Sequence, residues 1–282
     1  MKEVEQLRKT AVFKVFLAVV LVGIAGYLTF KFAVLWWHYL IGGVVALLII
    51  GMAISAVEDY KSEFIERILK PLLKSNDLYF FPKEGFKEDE ALSSNLFDFE
   101  YDDYDSHSLV VGEDFRLAYV EFTKEEEDED SDGNIETRTV TKFAGFLIIL
   151  KHNRFVKDYV LIEPSSFHLS DFLPVTYDKY RVKMDNPTFE KIFDVYCADQ
   201  VEARYLLDHN YMELLIKLYD EADVKYLSFI KDLVFTKIEY DDFTQNIPLF
   251  EKINDKIIRK ILFPVEYAIF LKESLNKGFY EG

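Results

Sequence analysis

Cysteine is nearly absent from this chain. Cys197 stands alone, so no intramolecular disulfide can form, and neither a Cys-x-x-Cys pair nor a Cys/His zinc pattern exists. A single thiol suits a reducing compartment. Glycine is scarce as well, with 11 among 282 residues. No glycine-rich phosphate loop, Gly-x-Ser-x-Gly elbow or kinase set is found. The five histidines, His38, His107, His152, His168 and His209, show no metal-ligand spacing and no His-Glu-x-x-His motif. Basic residues are in deficit. The net charge is −17, and beyond residue 57 there are 28 Lys and Arg against 48 Asp and Glu. Such an acidic domain repels phosphate backbones and anionic lipid headgroups, which argues against nucleic acid as a partner. The plain reading of the charge is solubility.

Acidic residues are wholly missing from Ala11 to Val57, a run of 47 residues whose cations are Lys14 and Lys31. A spanning helix needs about 20 apolar residues at 1.5 Å each, so this run is too long for one crossing and right for two. Lys31 divides it into helices of about Ala11–Phe30 and Ala33–Val57. A cleaved signal peptide fits poorly, because the first apolar run is long and a second follows at once. Lys2, Arg8, Lys9 and Lys14 lead into the first helix, and Lys61, Arg67, Lys70 and Lys74 follow the second. Only Lys31 lies at the turn, so the positive-inside rule places both termini in the cytoplasm. Trp36, Trp37 and Tyr39 then mark the opposite interface. The spaced small residues Gly42/Ala46 and Gly51/Ser55 read as packing within the hairpin, with homo-oligomerisation left open. No acidic residue lies in either helix, which argues against a transporter.

Outside the apolar run, 26 Phe and 18 Tyr offer material for a large core. The division expected is a hairpin over 1–57, a juxtamembrane helix over 58–75 and a cytoplasmic α+β domain over 76–282. Phe64, Ile65, Ile68, Leu69, Leu72 and Leu73 recur at helical spacing, with Pro71 set to bend or end that helix. Strands are expected at Leu78–Phe81, Leu96–Tyr101, Phe115–Thr123, Thr137–Leu150 and Arg154–Ile162, with a hairpin turn at Lys151–Arg154. Asn186-Pro187 reads as an N-cap with proline at the first helical position, and Asp199 opens an acidic capping box. A helix over Tyr211–Tyr219 and strands at Tyr226–Lys231 and Leu233–Tyr240 follow. Pro248–Lys277 is a long helical pattern interrupted at Pro264. Its apolar part, Ile261–Leu271, is too short for a third crossing and reads as core.

Asp128-x-Asp130-x-Asp132-Gly133 matches the opening of a calcium-binding EF-hand loop, and Ile135 falls at its apolar position. Position twelve is Thr139 instead of the bidentate Glu, and the flanks read as strands, so a solvated loop is the competing reading. Cys197 reads as a buried thiol, Glu202 and Arg204 as structural ion-pairing residues, and His209 as a cation beyond a helix end. No catalytic residue and no cofactor site is assigned.

Several segments carry a family resemblance: Leu92–Phe97, Tyr104, Gly112-Glu113-Asp114, Phe143-Ala144-Gly145-Phe146, Asn186–Tyr196, Asp199–Leu207 and Met212–Leu215. In this order they resemble the bacterial family known as domain of unknown function 3137, over most of residues 60–255. Asn186 stands where that pattern leads one to expect an acidic residue, and the acidic loop is longer than usual. The resemblance implies a pair of membrane helices ahead of the domain and, through gene neighbourhood, a membrane protein of the LemA type as partner. It implies no catalytic residues. Seven strand-like segments and a closing helix also suggest a pleckstrin-homology-like partial barrel with helices inserted at 186–219. The function expected is a membrane-anchored, non-enzymatic interaction module. The alternative is a metal-dependent hydrolase using carboxylates such as Asp102, Asp103 and Asp105.

Overall fold

The computed structural model describes residues 2–32, 36–129, 135–165 and 180–277. The chain divides into a helical unit, Met1–Asp77 with Phe243–Leu262, and a sheet unit, Leu78–Asp242 with Phe263–Gly282.

The helical unit opens with α1 (Lys2–Phe32) and α2 (Trp36–Phe64). α1 starts well before the apolar run at Ala11 and α2 continues past its end at Val57, because nothing in these flanks breaks a helix and Glu3 and Glu5 complement the dipole of α1. Both are long and apolar enough to cross a membrane, and most of their side chains find no cover within the chain. Gly42 is where α2 comes close to α1. A Cβ there would lie 2.5 Å from Thr29 Oγ1, so at this position the small residue serves packing inside the hairpin. A Cβ at Gly51 would meet nothing within 4 Å. Past α2 the helix widens into a π turn, Ile65–Leu69, and continues as α3 (Lys70–Lys74). Lys70 N–H reaches back to Ile65 O, and this slack seats Pro71 in the first turn of α3, where its missing donor costs nothing. Two bonds tie the returning segment to the helices. Arg8 Nη1 donates to Leu249 O at 2.9 Å, and Tyr60 Oη donates to Pro248 O at 2.8 Å.

The sheet unit runs β1 (Tyr79–Phe81), α4 (Glu88–Leu92), β2 (Asp103–Val111), β3 (Phe115–Glu129), β4 (Ile135–Pro164), β5 (Arg181–Val182), α5 (Pro187–Ile192), β6 (Phe193–Tyr196), α6 (Gln200–Leu206), α7 (His209–Ala222) and β7 (Leu227–Ile238). The last helix, α8 (Asp255–Lys277), contributes residues to both units. The fold class is α+β. All described pairings are antiparallel, in the order β1-β2-β3-β4-β6-β5, with β7 on β4. The 30-residue β4 is the spine. It pairs β3 along its first half, β6 at its end and β7 from Phe146 to Ile162. Among the described residues there are seven strands and a closing helix, the number expected, and the strands form a branched sheet.

Several expected elements take another form. Leu96–Tyr101 is not a strand but irregular chain. Its aromatics pack on the buried Phe122, with ring centroids 4.7 Å away for Phe97, 5.5 Å for Phe99 and 4.9 Å for Tyr101. The turn expected at Lys151–Arg154 is a bulge within one continuous strand, and the two strands expected over Tyr226–Tyr240 are the single strand β7. The register jumps from Lys151↔Leu233 to Val156↔Lys231, and Lys231 takes φ 56° to follow the bend. Helix α8 begins at Asp255, later than the expected Pro248, and runs through Pro264. Gly145 has a sharper constraint than conformational freedom: a Cβ there would overlap Ile238 O of β7, so no larger residue fits between the strands.

Candidate functional site

The site supported best is the outer face of α6 where it lies on the β4 bulge. Asp199 caps the helix, accepting from Val201 N at 2.9 Å, as its sequence position predicts. Glu202 faces the strand and accepts from Lys157 N at 2.5 Å, so its role is backbone capture and not an ion pair with Arg204, which donates to Lys183 O at 3.2 Å. The other end of α6 is held by Arg154. Its Nη1 donates to Tyr205 O at 3.0 Å and Leu206 O at 2.9 Å, and its Nη2 donates to Asp208 Oδ2 at 2.9 Å. The guanidinium also stands 5.9 Å from the Tyr205 and Tyr211 ring centres.

Under this platform lies a closed aromatic layer. His152 is buried beside Phe229, with ring centroids 5.3 Å apart, and its Nε2 is 3.4 Å from Tyr211 Oη. Burial pushes His152 down to about 4, so the ring is neutral at pH 7. Cys197 is buried as expected, its thiol donates to Asp199 O at 3.1 Å, and burial pushes its pKa up. The thiol is therefore a poor nucleophile. Beside the exposed Gln200 and Arg204, this braced helix presents two apolar side chains outward: Val201 is 77% exposed and Tyr205 78%, one turn apart, and Phe155 on the bulge is 69% exposed. Large apolar side chains on a rigid support, rimmed by charge, have the make-up of a protein-docking surface.

Two charged clusters elsewhere are committed to structure. Lys237 is desolvated in the sheet unit and donates to Leu96 O at 2.6 Å, with the rings of Tyr226, Phe97 and Phe143 4.4, 5.1 and 5.5 Å away. Burial lowers its pKa, with Glu163 and Glu239 pulling the other way; burial also raises Glu163. Lys237 thereby pins the loop that sequence patterning reads as a strand. His107 sits between two carboxylates, with Nδ1 2.9 Å from Asp105 Oδ2 and Nε2 3.7 Å from the buried Asp242 Oδ1. Asp242 and then Asp105, against opposing desolvation, push it up to about 9. An imidazolium at pH 7 has no lone pair with which to act as a general base.

Of the hydrolase carboxylates, Asp105 joins this cluster. Asp102 is turned away, accepting from Glu125 N at 2.8 Å, and Asp103 is exposed on β2. Asp242 was missed by sequence reasoning, and only the spacing of Asp105 and His107 on one face of β2 hinted at a cluster. Of the calcium candidates, Asp130 and Asp132 lie outside the described residues. Asp128 is in β3 opposite Glu136, and Thr139 lies in β4 opposite Glu125, so the expected loop flanks are extended chain. His209 follows the end of α6, as expected, and is also the first residue of α7, behind the Asp208 cap. His168 and the side chain of His38 lie outside the described residues.

No curated protein matches the chain. Among solved structures, it is similar to the crystal structure of the mycobacterial trehalose monomycolate transport factor A, TtfA. That match has 12% identity, covers 76% of this chain and 94% of that one, and has a TM-score of 0.38. The model of the family described as "Protein of unknown function (DUF3137)" matches residues 141–277, the C-terminal part of the chain, which takes in most of β4 together with α6 and α8.

Proposed function

We propose that the chain is a membrane-anchored interaction module that docks a protein partner on the outer face of α6. The observation that carries this reading is the exposure of Val201 and Tyr205 on a helix fixed at both ends by Asp199 and Arg154, together with the exposure of Phe155 on the β4 bulge. In this reading α1 and α2 cross the bacterial plasma membrane as a hairpin, with both termini cytoplasmic. Eight basic residues flanking the hairpin against Lys31 at its turn support that orientation. The partner is a membrane protein, and one of the LemA type is implied by the family resemblance. The test is site-specific photocrosslinking in intact cells. A photoreactive residue at Val201, Tyr205 or Phe155 gives one discrete adduct, and Val201→Asp with Tyr205→Asp abolishes it. Adducts no stronger than those from the exposed Lys217 of α7 would overturn the reading. Protease added outside spheroplasts should leave residues 78–282 intact; digestion would overturn the orientation.

A further inference from the structure

The helical unit carries an electrostatic anomaly. In a chain of net charge −17, the groove beside the first turns of α1 is basic. A cavity of about 600 Å³ is lined by α1 residues including Lys2 and Lys9, and on its other wall by Lys252. A second groove of about 460 Å³ continues from it, sharing Arg8 and Lys9 and adding Phe13, Phe16 and Phe250. The charged part therefore passes directly into an apolar part along one side of one helix.

Of the cations that line the groove, Arg8 is consumed by the fold, through Glu5, which lines it too. Glu5 is taken by Arg8, whose Nη2 lies 2.6 Å from its Oε1 and whose Nη1 holds Leu249 O. Among the described residues no carboxylate pairs with Lys2, Lys9 or Lys252 in an ion pair. Depth agrees with charge. Lys9 is two residues, or about 3 Å, before the apolar run begins at Ala11. Phe13 and Phe16 lie one and two turns further in and are about two-thirds exposed, and Phe250 on the facing wall is 73% exposed. Arg8 and Tyr60 clamp the 248–249 backbone at this level from α1 and α2 respectively, so Phe250 is held and not loose. Cations followed by aromatics at the start of a spanning helix match the order of phosphate, glycerol and acyl chain in a lipid leaflet.

We infer that this groove binds one anionic phospholipid, with its phosphate on Lys2, Lys9 and Lys252 and its acyl chain against Phe13, Phe16 and Phe250. The inference rests on the hairpin spanning the membrane. It is independent of docking on α6.

The test uses the full chain in dodecyl maltoside micelles, with native mass spectrometry after adding phosphatidylglycerol and phosphatidylcholine of matched chains in equal amounts. The wild-type chain should retain one phosphatidylglycerol in at least about tenfold preference. Lys2→Gln with Lys9→Gln and Lys252→Gln should remove the preference, Phe250→Ser should weaken retention of both lipids, and neutralising Lys183, Lys217 and Lys225 of the sheet unit should change nothing. Glycerol phosphate at millimolar concentration should not compete, because it lacks the acyl chain; displacement by it would mark a soluble phosphate ligand and overturn the assignment to lipid. Equal retention of the two lipids by the wild type, or an undiminished preference in the triple variant, would also overturn it. Carbonate extraction of native membranes separates the two failures. A chain that stays in the pellet but shows no preference sinks only the lipid site, whereas a chain released into the supernatant sinks the membrane reading beneath it.

Discussion

Arg154→Ala removes the guanidinium that closes the C-terminal end of α6. The wild-type group makes two bonds to helix-end carbonyls, at 3.0 and 2.9 Å, and a third to Asp208 at 2.9 Å. A hydrogen bond from a charged donor contributes about 1.5–3 kcal/mol. The Arg154 side chain is 25% exposed, so the lower end applies to each carbonyl bond, giving about 3 kcal/mol for the two. The half-exposed Asp208 partner adds no more than about 0.5 kcal/mol. Water can resolvate part of the freed carbonyls, which brings the expected net loss to about 2–3 kcal/mol. Arg154→Lys keeps the charge but can satisfy only part of this geometry, and should cost about half as much. Hydrogen–deuterium exchange of the detergent-solubilised chain reads the effect locally. Amides of α6 and the first turn of α7 should exchange about 30- to 150-fold faster in the alanine variant, at 1.4 kcal/mol per tenfold, while β2 and β3 stay unchanged. Protection of α6 within a factor of two of wild type would refute the argument that Arg154 holds the platform.

Three further outcomes are expected. The raised His107 contributes stability that is fully present below about pH 6.5 and lost as pH climbs through about 9, so His107→Gln should narrow the gap in urea midpoint between pH 6.5 and pH 10; an unchanged gap would refute the clamp. Lys237→Met leaves Leu96 O without its donor and Glu163 without its nearby cation, and should lower stability by about 2 kcal/mol, or Tm by about 4–8 °C, in a calorimetric scan. Gly145→Ala forces β4 and β7 apart and should cost more than about 2 kcal/mol by urea titration, whereas Gly51→Ala, with open space around it, should be nearly neutral.

The features legible in the sequence are those decided within a few residues. Asn186 accepts from Thr188 N and Phe189 N, and Asp199 from Val201 N and Glu202 N, because a cap needs only its own first turn. The apolar hairpin was legible because its composition is uniform over two helix lengths. Errors arose where a distant partner decides the outcome. Leu96–Tyr101 alternates like a strand because its aromatics do alternate toward the core, yet its cation Lys237 and its ring partner Phe122 come from β7 and β3 instead of a ladder. Lys151–Arg154 has the polarity of a turn, but the bend it makes is absorbed by β7 about 80 residues later. The start of α7 was set at Tyr211 instead of His209 because the capping role of Asp208 was not recognised. In the docking surface, the support was half visible through Asp199, while the exposure of Val201 and Tyr205 depends on which face of α6 the bulge covers.

The length of β4 carries a consequence for how the chain is made. Its first half meets β3 as soon as both have emerged, but its second half needs β7, which ends at Ile238, some 70 residues after Pro164. At about 5–20 residues per second, the ribosome leaves that edge open for several seconds. An unpaired strand rich in Val, Tyr and Ile is a template for association with other chains. In the proposed membrane-anchored reading, the amino-terminal hairpin would by then be inserted, and each nascent chain would wait tethered to a surface until synthesis supplies its own partner strand.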